Sequence, residues 1–406
     1  MKRKRIFIVN QADDSHKYGV GKYINEIIDQ ASSKSNELEL VYVLVGVSDI
    51  SAVQHDKVEN IAYLKIPKPC GYQKNIRSLS YVYSKAVFIL LHDFYEFSET
   101  DIFHFNSNMQ YFLIALIKEH TRAFLIYTVH VSLWKVHYNN NYSKFIEDFT
   151  NSEKDSFHIN NIRAEMKNCE LSNKVICLSE SMKKDMLKVY KIPSEKVFEV
   201  PNGIKQQKFT DEDFRNIETI KKDVLITEKD VIFLYVGRLT PQKGIAQLLS
   251  TFKDIVEKGY ENVKLLIVGD GAMKASLVKK YESIKKRIIF AGYLPANSVK
   301  LYYKLADALI FPSLNEQSSY VMLEAMSFKV PMIVTNTDIF EMLEHNNSCL
   351  KISLNKQKEL NPFSFKKQLL TMLKNDKLRN EIAKNAYRLY SQKYSAKVMF
   401  DSTYQT

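Results

Sequence analysis

Glu316 and Glu324, separated by seven residues, have the type and placement to hold a hydroxyl-rich ligand. Carboxylates accept paired hydrogen bonds from vicinal hydroxyls, of the kind a sugar or a ribose presents. Glu316 lies in a short polar loop with Ser318 and Ser319, and Glu324 lies in a stretch, 320–328, of helix-forming composition. The start of that helix offers free N–H groups and a partial positive charge, which suits a phosphate. Taken alone, the two glutamates also read as a solvated loop residue and an exposed helical one. The elements around them favour a site. The apolar run Ala308–Phe311 reads as a buried parallel strand ended by Pro312, and Pro331 stops the helix ahead of a second strand at Met332–Thr335. A strand–loop–helix–strand unit puts the loop at the carboxyl end of a strand, where open α/β sheets take their ligands.

The other strand ends of this half carry similar residues. Val231–Val236 ends in Gly237-Arg238, and Lys243-Gly244 opens a helix reaching about residue 257. Val263–Val268 ends in Gly269-Asp270-Gly271, a strand at 288–291 ends in Gly292-Tyr293, and a helix follows around 297–305. Glycine, cation, hydroxyl and carboxylate thus gather on one face of one sheet. The first half alternates in the same way. A strand at 5–9 leads to Tyr18-Gly19-Val20-Gly21, which opens a helix to about residue 31; Gly19 lets the backbone approach a ligand closely. Strands are predicted at 38–45, 61–66, 101–105, 123–129, 174–178 and 196–200. His130 follows one of them directly, a position for a ligand contact or for an ordinary core or surface histidine. Residues 137–161, with Asn139-Asn140-Asn141, read as a mobile loop passing into a helix. Pro201-Asn202-Gly203 is turn chemistry, and the charged stretch 205–222 marks a domain boundary. Two complete β/α sheets in series imply an α/β fold of two Rossmann-like domains facing across a cleft.

Length and composition agree. The chain of 406 residues suggests two domains, possibly three, and 45% hydrophobic residues suffice for their cores. Four cysteines (Cys70, Cys169, Cys177, Cys349) lack metal spacing and read as reduced thiols. The apolar run at 6–9 is far too short for a leader, and no run approaches the ~20 apolar residues that cross a bilayer. There is no GxxxxGK[ST], HExxH or GxSxG, so P-loop, zincin and serine-hydrolase chemistry find no support. The net charge of +12 lies mainly in the second half. It comes with no nucleic-acid-binding motif, so nucleic acid is not an expected partner. Residues 60–92 contain no acid but carry Lys65, Lys68, Lys74, Arg77 and Lys85, with Tyr81, Tyr83, Val87, Phe88, Leu90 and Leu91 interleaved. That fits a helix on anionic lipid or a core helix with a basic outer face.

Four segments in fixed order, VGRLTPQKGIAQLLSTF, LLIVGDG, IIFAGYLP and FPSLNEQSSYVMLEAMSFKVPMIVT, resemble the donor domain of retaining GT-B glycosyltransferases of family four, the glycosyl transferases of group 1. YGVGKYI at 18–24, TVH ending at His130 and VPNGI resemble the family's N-terminal half. The resemblance implies an acceptor-binding domain at 1–204, a donor-binding domain at 205–385 and a crossover helix at 386–406 that returns to the first domain. It implies that Arg238 and Lys243 hold the donor diphosphate, which departs without help from a metal or other cofactor. Glu324 would bind the ribose and Glu316 the transferred sugar, with Ser318 and Ser319 nearby. Gly19 would close on the diphosphate, and His130 would reach the sugar from the opposite domain. Gly237, Gly269, Gly271 and Tyr293 would line the donor site. The implied co-substrate is a UDP- or GDP-sugar, and the implied reaction is hexosyl transfer with retention to a glycan or glycolipid acceptor in the cytoplasm, at the inner membrane face. A peptide or protein acceptor, or a non-catalytic sugar-nucleotide-binding role, are the alternatives. The chain departs from the family pattern where glycines are common, at Tyr18, Lys329, 317–319 and 338–341.

Overall fold

The computed structural model describes residues 4–12, 19–69, 77–108, 110–151, 156–314, 319–337 and 340–405. The chain divides into two compact units, residues 1–203 with 396–406, and residues 204–395.

The first unit is built on an eight-stranded sheet. Its strands are β1 (Lys4–Gln11), β2 (Leu38–Val47), β3 (Gln54–Val58), β4 (Ile61–Pro67), β5 (Ile102–Phe105), β6 (Phe124–Val129), β7 (Lys174–Cys177) and β8 (Val197–Glu199), in the order β3-β4-β2-β1-β5-β6-β7-β8. All neighbours run parallel except β3, an exposed antiparallel edge on β4. The helices are α1 (Gly19–Ser32), α2 (Arg77–Phe94), α3 (Tyr111–His120), α4 (Leu133–Tyr138), α5 (Tyr142–Thr150), α6 (Phe157–Leu171) and α7 (Glu180–Lys188). The apolar strands are buried on both faces, as a parallel sheet requires. On one face Phe7, Val9, Phe103 and Phe105 meet Tyr83, Val87 and Leu91 of α2 and Ile114 and Ile117 of α3. On the other, Ile6 and Ile8 meet Tyr23, Ile24 and Ile27 of α1.

The second unit holds six parallel strands, β9 (Val231–Val236), β10 (Val263–Val268), β11 (Ile288–Gly292), β12 (Ala308–Phe311), β13 (Met332–Thr335) and β14 (Leu350–Ile352), in the order β11-β10-β9-β12-β13-β14. Its helices are α8 (Asp211–Asp223), α9 (Ile245–Glu257), α10 (Lys274–Lys280), α11 (Ala296–Leu305), α12 (Tyr320–Ser327), α13 (Pro362–Lys374) and α14 (Asp376–Leu389). Phe233 and Tyr235 pack against α9 and α13, while Ile232 and Leu234 pack against α12 and α14.

The last helix, α15 (Ala396–Tyr404), belongs to the first unit. Met399, Phe400 and Tyr404 join Ile6, Ile8 and Tyr23 in one apolar layer. Each such side chain stabilises by about 1.5–3 kcal/mol on burial. The carbonyls at its C-terminal end are capped by lysines, as the helix dipole favours. Lys174 Nζ donates to Ser402 O at 2.9 Å and Thr403 O at 3.0 Å, and Lys4 Nζ donates to Tyr404 O at 3.3 Å.

Three regions refine the sequence-based expectation. In the stretch 137–161 the expected helix is present, but its described residues are already largely helical where a loop was expected to lead into it. Asn139 and Asn140 take left-handed φ values of 48° and 63° and close α4, and Asn141 caps α5 by accepting from Lys144 N at 3.1 Å. The triple asparagine is cap chemistry. The stretch 205–222 contains α8, opened by a capping box of Thr210 and Asp213. In α2, Tyr83, Val87 and Leu91 face the core rather than an outer surface, and the Tyr83 hydroxyl donates to Pro67 O at 2.8 Å. The exposed apolar side chains of α2 are Leu79, Tyr81, Val82, Ile89 and Phe94. Cys169, Cys177 and Cys349 are free and buried, while Cys70 lies outside the described residues. No described helix is long and apolar enough to cross a membrane.

Candidate active site

The carboxyl ends of β9, β10 and β12 position the charged residues of the second unit. The turns after β9 and β10 interlock through their backbones. Gly237 N donates to Val268 O at 3.0 Å, Leu239 N to Asp270 O at 2.9 Å and Gly269 N to Gly292 O at 2.7 Å. A Cβ on Gly269 would lie 1.9 Å from Gly237 O, at a φ of 141° that side chains avoid. A Cβ on Gly271 would lie 2.6 Å from Leu239 O. The close approach that calls for glycine at these two positions is therefore to the neighbouring turn. Their effect is to hold Arg238 at the strand end. The Tyr235 hydroxyl donates to Arg238 O at 2.9 Å, and the Arg238 side chain is exposed.

Lys243 closes a 3₁₀ turn, Pro241–Lys243, immediately ahead of α9. Gly244 follows at φ 66°, and a Cβ there would sit 2.3 Å from Pro312 O. Leu314 N donates to Gln242 O at 3.0 Å. These two backbone contacts bind the lysine turn to the start of the loop after β12. Glu316 and Ser318 of that loop lie outside the described residues. Ser319, at its end, is buried and caps α12 by accepting from Met322 N at 3.3 Å. Glu324 is half-buried one turn further along. The Tyr303 hydroxyl, from α11, donates to Glu324 Oε2 at 2.9 Å, with Val321 O 3.2 Å away beside it. Burial, with the Glu324 carboxylate beside it, pushes the Tyr303 phenol well above its usual range, so it remains a donor. Tyr303 stacks on Phe328 with ring centroids 5.3 Å apart, which fixes the ring. No sequence signal singled out Tyr303, because its YYKLA context reads as plain helix.

Tyr293, after β11, is 79% exposed. An open pocket of about 730 Å³ lies along α10, lined by Asp270, Gly271, Lys274, Val278 and Glu282 among others. The departures from the family pattern have a partial explanation. Lys329 keeps the left-handed conformation that glycine favours, at φ 58°, and its Nζ lies 4.6 Å from the Tyr387 ring centroid.

In the first unit Gly19 begins α1 at an exposed position, and a Cβ there would meet nothing within 4 Å. His130 follows β6 and is half-buried. Its Nε2 lies 2.9 Å from Asn106 Oδ1, and the Tyr23 ring stands edge-on at 4.9 Å. Burial pulls its pKa down to about 3, leaving it neutral. His104, fully buried on β5, bridges Thr128 Oγ1 at 2.7 Å and the Tyr404 hydroxyl at 2.8 Å. Burial first, then His130 and Lys174, hold His104 to about 3 as well.

The described candidate residues therefore fall into two groups, one in each unit. Residues 18–208 match the family described as Glycosyltransferase Family 4, and residues 216–389 match Glycosyl transferases group 1. The chain thus carries a Glycosyltransferase Family 4 domain followed by a Glycosyl transferases group 1 domain. The group 1 domain holds Arg238, Lys243 and Glu324, and the family 4 domain holds Gly19 and His130. The capsular polysaccharide biosynthesis glycosyltransferase CapM of Staphylococcus aureus is 26% identical over 233 residues, 56% of this chain and 59% of its own. An uncharacterised glycosyltransferase of Methanocaldococcus jannaschii is 26% identical over 178 residues, 43% of this chain and 45% of its own. The matches thus span about half the length of these relatives. The GT-B fold extends over the whole chain. The Anabaena protein HepE, solved in complex with UDP and glucose, superposes with a TM-score of 0.67 at 16% identity, covering 98% of both chains.

Proposed function

We propose that the protein transfers a hexose-type sugar from a nucleotide-diphosphate sugar, UDP- or GDP-linked, to an acceptor hydroxyl with retention of configuration, in the synthesis of a surface polysaccharide or glycolipid. The observation that carries this reading is that Arg238 and the Lys243 turn follow β9 while Glu324 lies on the helix after the neighbouring strand β12, with backbone contacts joining the lysine turn to the residues just after β12. The names of the S. aureus relative and of the UDP-bound Anabaena structure supply its direction. Breaking a sugar–phosphate bond leaves an extra negative charge on the diphosphate, and preorganised cations lower that barrier. Arg238 and Lys243 take that role. Glu324, held by Tyr303, accepts from the ribose hydroxyls, and Glu316 takes hydroxyls of the sugar. The acceptor oxygen bonds to the anomeric carbon on the face from which the diphosphate departs, and the departing phosphate oxygen receives the acceptor's proton. Neither glutamate acts as a nucleophile.

A thermal-shift screen against UDP-, GDP-, ADP- and TDP-sugars tests the donor assignment, because a ligand of the native state raises its melting temperature. One nucleotide class is expected to stabilise the protein above the others; no shift with any of them would overturn the reading. A membrane contact forms part of the proposal. Leu79, Val82 and Ile89 are exposed on α2, beside the exposed Lys85, in a stretch devoid of acids from 60 to 92. Apolar and basic side chains together suit an anionic lipid surface at the cytoplasmic leaflet. Cosedimentation with phosphatidylglycerol vesicles at low salt is expected for the wild type and lost in Val82→Asp/Ile89→Asp; equal sedimentation of both would remove the contact.

A further inference from the structure

His130 has two ring nitrogens, and its surroundings decide which of them carries the proton. The deciding residue is Asn106, just beyond the end of β5. Its backbone N donates to Val9 O at 3.0 Å, which continues the β1–β5 ladder and fixes the residue. Its side chain is buried, 4% exposed, between two groups. Asn106 Nδ2 donates to His104 O at 3.3 Å, and Asn106 Oδ1 lies 2.9 Å from His130 Nε2. A backbone carbonyl can only accept. The amide therefore has one favoured orientation, with Nδ2 on the carbonyl and Oδ1 on the imidazole. The reverse orientation would set Oδ1 against His104 O, two acceptors face to face. With Oδ1 as its neighbour, Nε2 must donate.

We infer that Asn106 is a positioning residue that holds the proton of His130 on Nε2 and leaves Nδ1 as a hydrogen-bond acceptor for a hydroxyl of the bound sugar. The Tyr23 ring, edge-on at 4.9 Å and 79°, keeps the imidazole from turning over. Tyr23 is itself fixed by burial and by a contact of 3.4 Å between its hydroxyl and Thr128 Oγ1. Nδ1 makes no hydrogen bond to any described residue. Neutral histidine is well suited to this work, because it presents one donor and one acceptor at fixed positions. Spending the donor on Asn106 makes the free nitrogen selective for a group that donates. The tautomer follows from the first unit alone. The ligand rests on the proposed function together with the family resemblance, which implies that His130 reaches the sugar.

Long-range proton–nitrogen correlation spectra of the full chain labelled with [15N]histidine test both parts, with His130→Gln identifying the His130 signals. The wild type is expected to show the proton on Nε2 and a bare Nδ1. Asn106→Leu removes the acceptor and is expected to shift His130 to a mixture or to the Nδ1-protonated form. Asn106→Asp keeps an acceptor facing Nε2, although it sets a second oxygen against His104 O, and is expected to keep a proton on Nε2 whether or not Nδ1 is also protonated. A wild-type His130 protonated on Nδ1, or an unchanged tautomer in folded Asn106→Leu, overturns the inference. Should Asn106→Leu fail to fold, the wild-type spectrum and Asn106→Asp still decide it. Donor kinetics separate the second part. In Asn106→Leu the donor KM is expected to rise roughly fivefold to tenfold, the loss of about one hydrogen bond. A tautomer that moves while KM and kcat stay at wild-type values upholds the role of Asn106 in setting the tautomer and overturns the sugar contact.

Discussion

The two units place their candidate site residues by different means. In the second, backbones do the placing: the Gly237–Leu239 and Gly269–Gly271 turns run against each other, and Gly244 lies against Pro312 O. In the first, side chains do it: His130 rests on Asn106 and Tyr23, and Tyr23 and His104 rest on Thr128. Backbone contacts this close exclude any Cβ, so they leave glycines at set spacings in the sequence. Side-chain hydrogen bonds among buried residues leave no such trace, because Asn, Tyr and Thr occur at strand ends for many reasons. The second unit is the more readable one for that physical reason.

The comparison can be broken at several points. The largest effect is expected from Lys243→Ala, with a fall in turnover of about 100-fold or more and an unchanged melting temperature, read by nucleotide release from the donor. Turnover within twofold of wild type would remove the lysine from the site. Glycine substitutions address the contrast itself. Gly269→Ala is expected to destabilise the second unit by about 2 kcal/mol or more in chemical denaturation, because its Cβ would collide with Gly237 O. Gly19→Ala, where the space is open, is expected to change stability by no more than about 0.5 kcal/mol while weakening donor binding. Equal stability costs at the two glycines would erase the distinction.

Acidity supplies a third test, in the first unit. Glu165 is buried beneath α4, with Tyr190 and the Leu133 N–H bonded to it, and burial raises its pKa from 4.5 to about 8. The folded state binds more protons than the unfolded between those values, so stability falls as pH rises from about 4.5 to 8. His104 and His130, held to about 3 against the usual 6.5, act in the opposite sense, and stability falls as pH drops from about 6.5 toward 3. Glu165→Gln is expected to flatten the alkaline decline and leave the acid one, in denaturation midpoints measured from pH 4 to 9. A decline that survives the substitution would place its origin elsewhere. A smaller effect is expected from Tyr303→Phe. Loss of the bond to Glu324 costs about 1 kcal/mol, seen as a donor KM several times higher with kcat nearly unchanged. A fall in kcat alone would mean that Glu324 acts in the chemical step.

Much of the fold was legible because parallel strands are short apolar runs ended by Gly or Pro. Val231–Val236, Val263–Val268, Ala308–Phe311 and Met332–Thr335 stand where the sequence puts them. The edge strand β3, QHDKV, escaped because all its residues are exposed and no apolar alternation marks it. The helix α13 begins at Asn361-Pro362, a usable start signal that the surrounding polar residues obscured. The run Asn139–Asn141 looked like a loop because asparagine serves helix ends and loops alike; its position between two short helices showed only in three dimensions. Of the candidate site, Arg238 and Lys243 stand after β9 and Glu324 on the helix after β12, as the sequence places them. Tyr303 and Asn106 were not, since each matters only through a partner distant in sequence, Glu324 and His130.

The central claim is that Arg238, Lys243 and Glu324 hold a nucleotide-diphosphate sugar. The most direct measurement is isothermal titration of the donor that most raises the melting temperature into wild type, Lys243→Ala and Glu324→Gln. The account predicts one site per chain in the wild type and a Kd at least tenfold weaker in each variant, the worth of one charge-assisted contact. The same Kd in all three proteins, or no heat of binding with any nucleotide sugar, would contradict it.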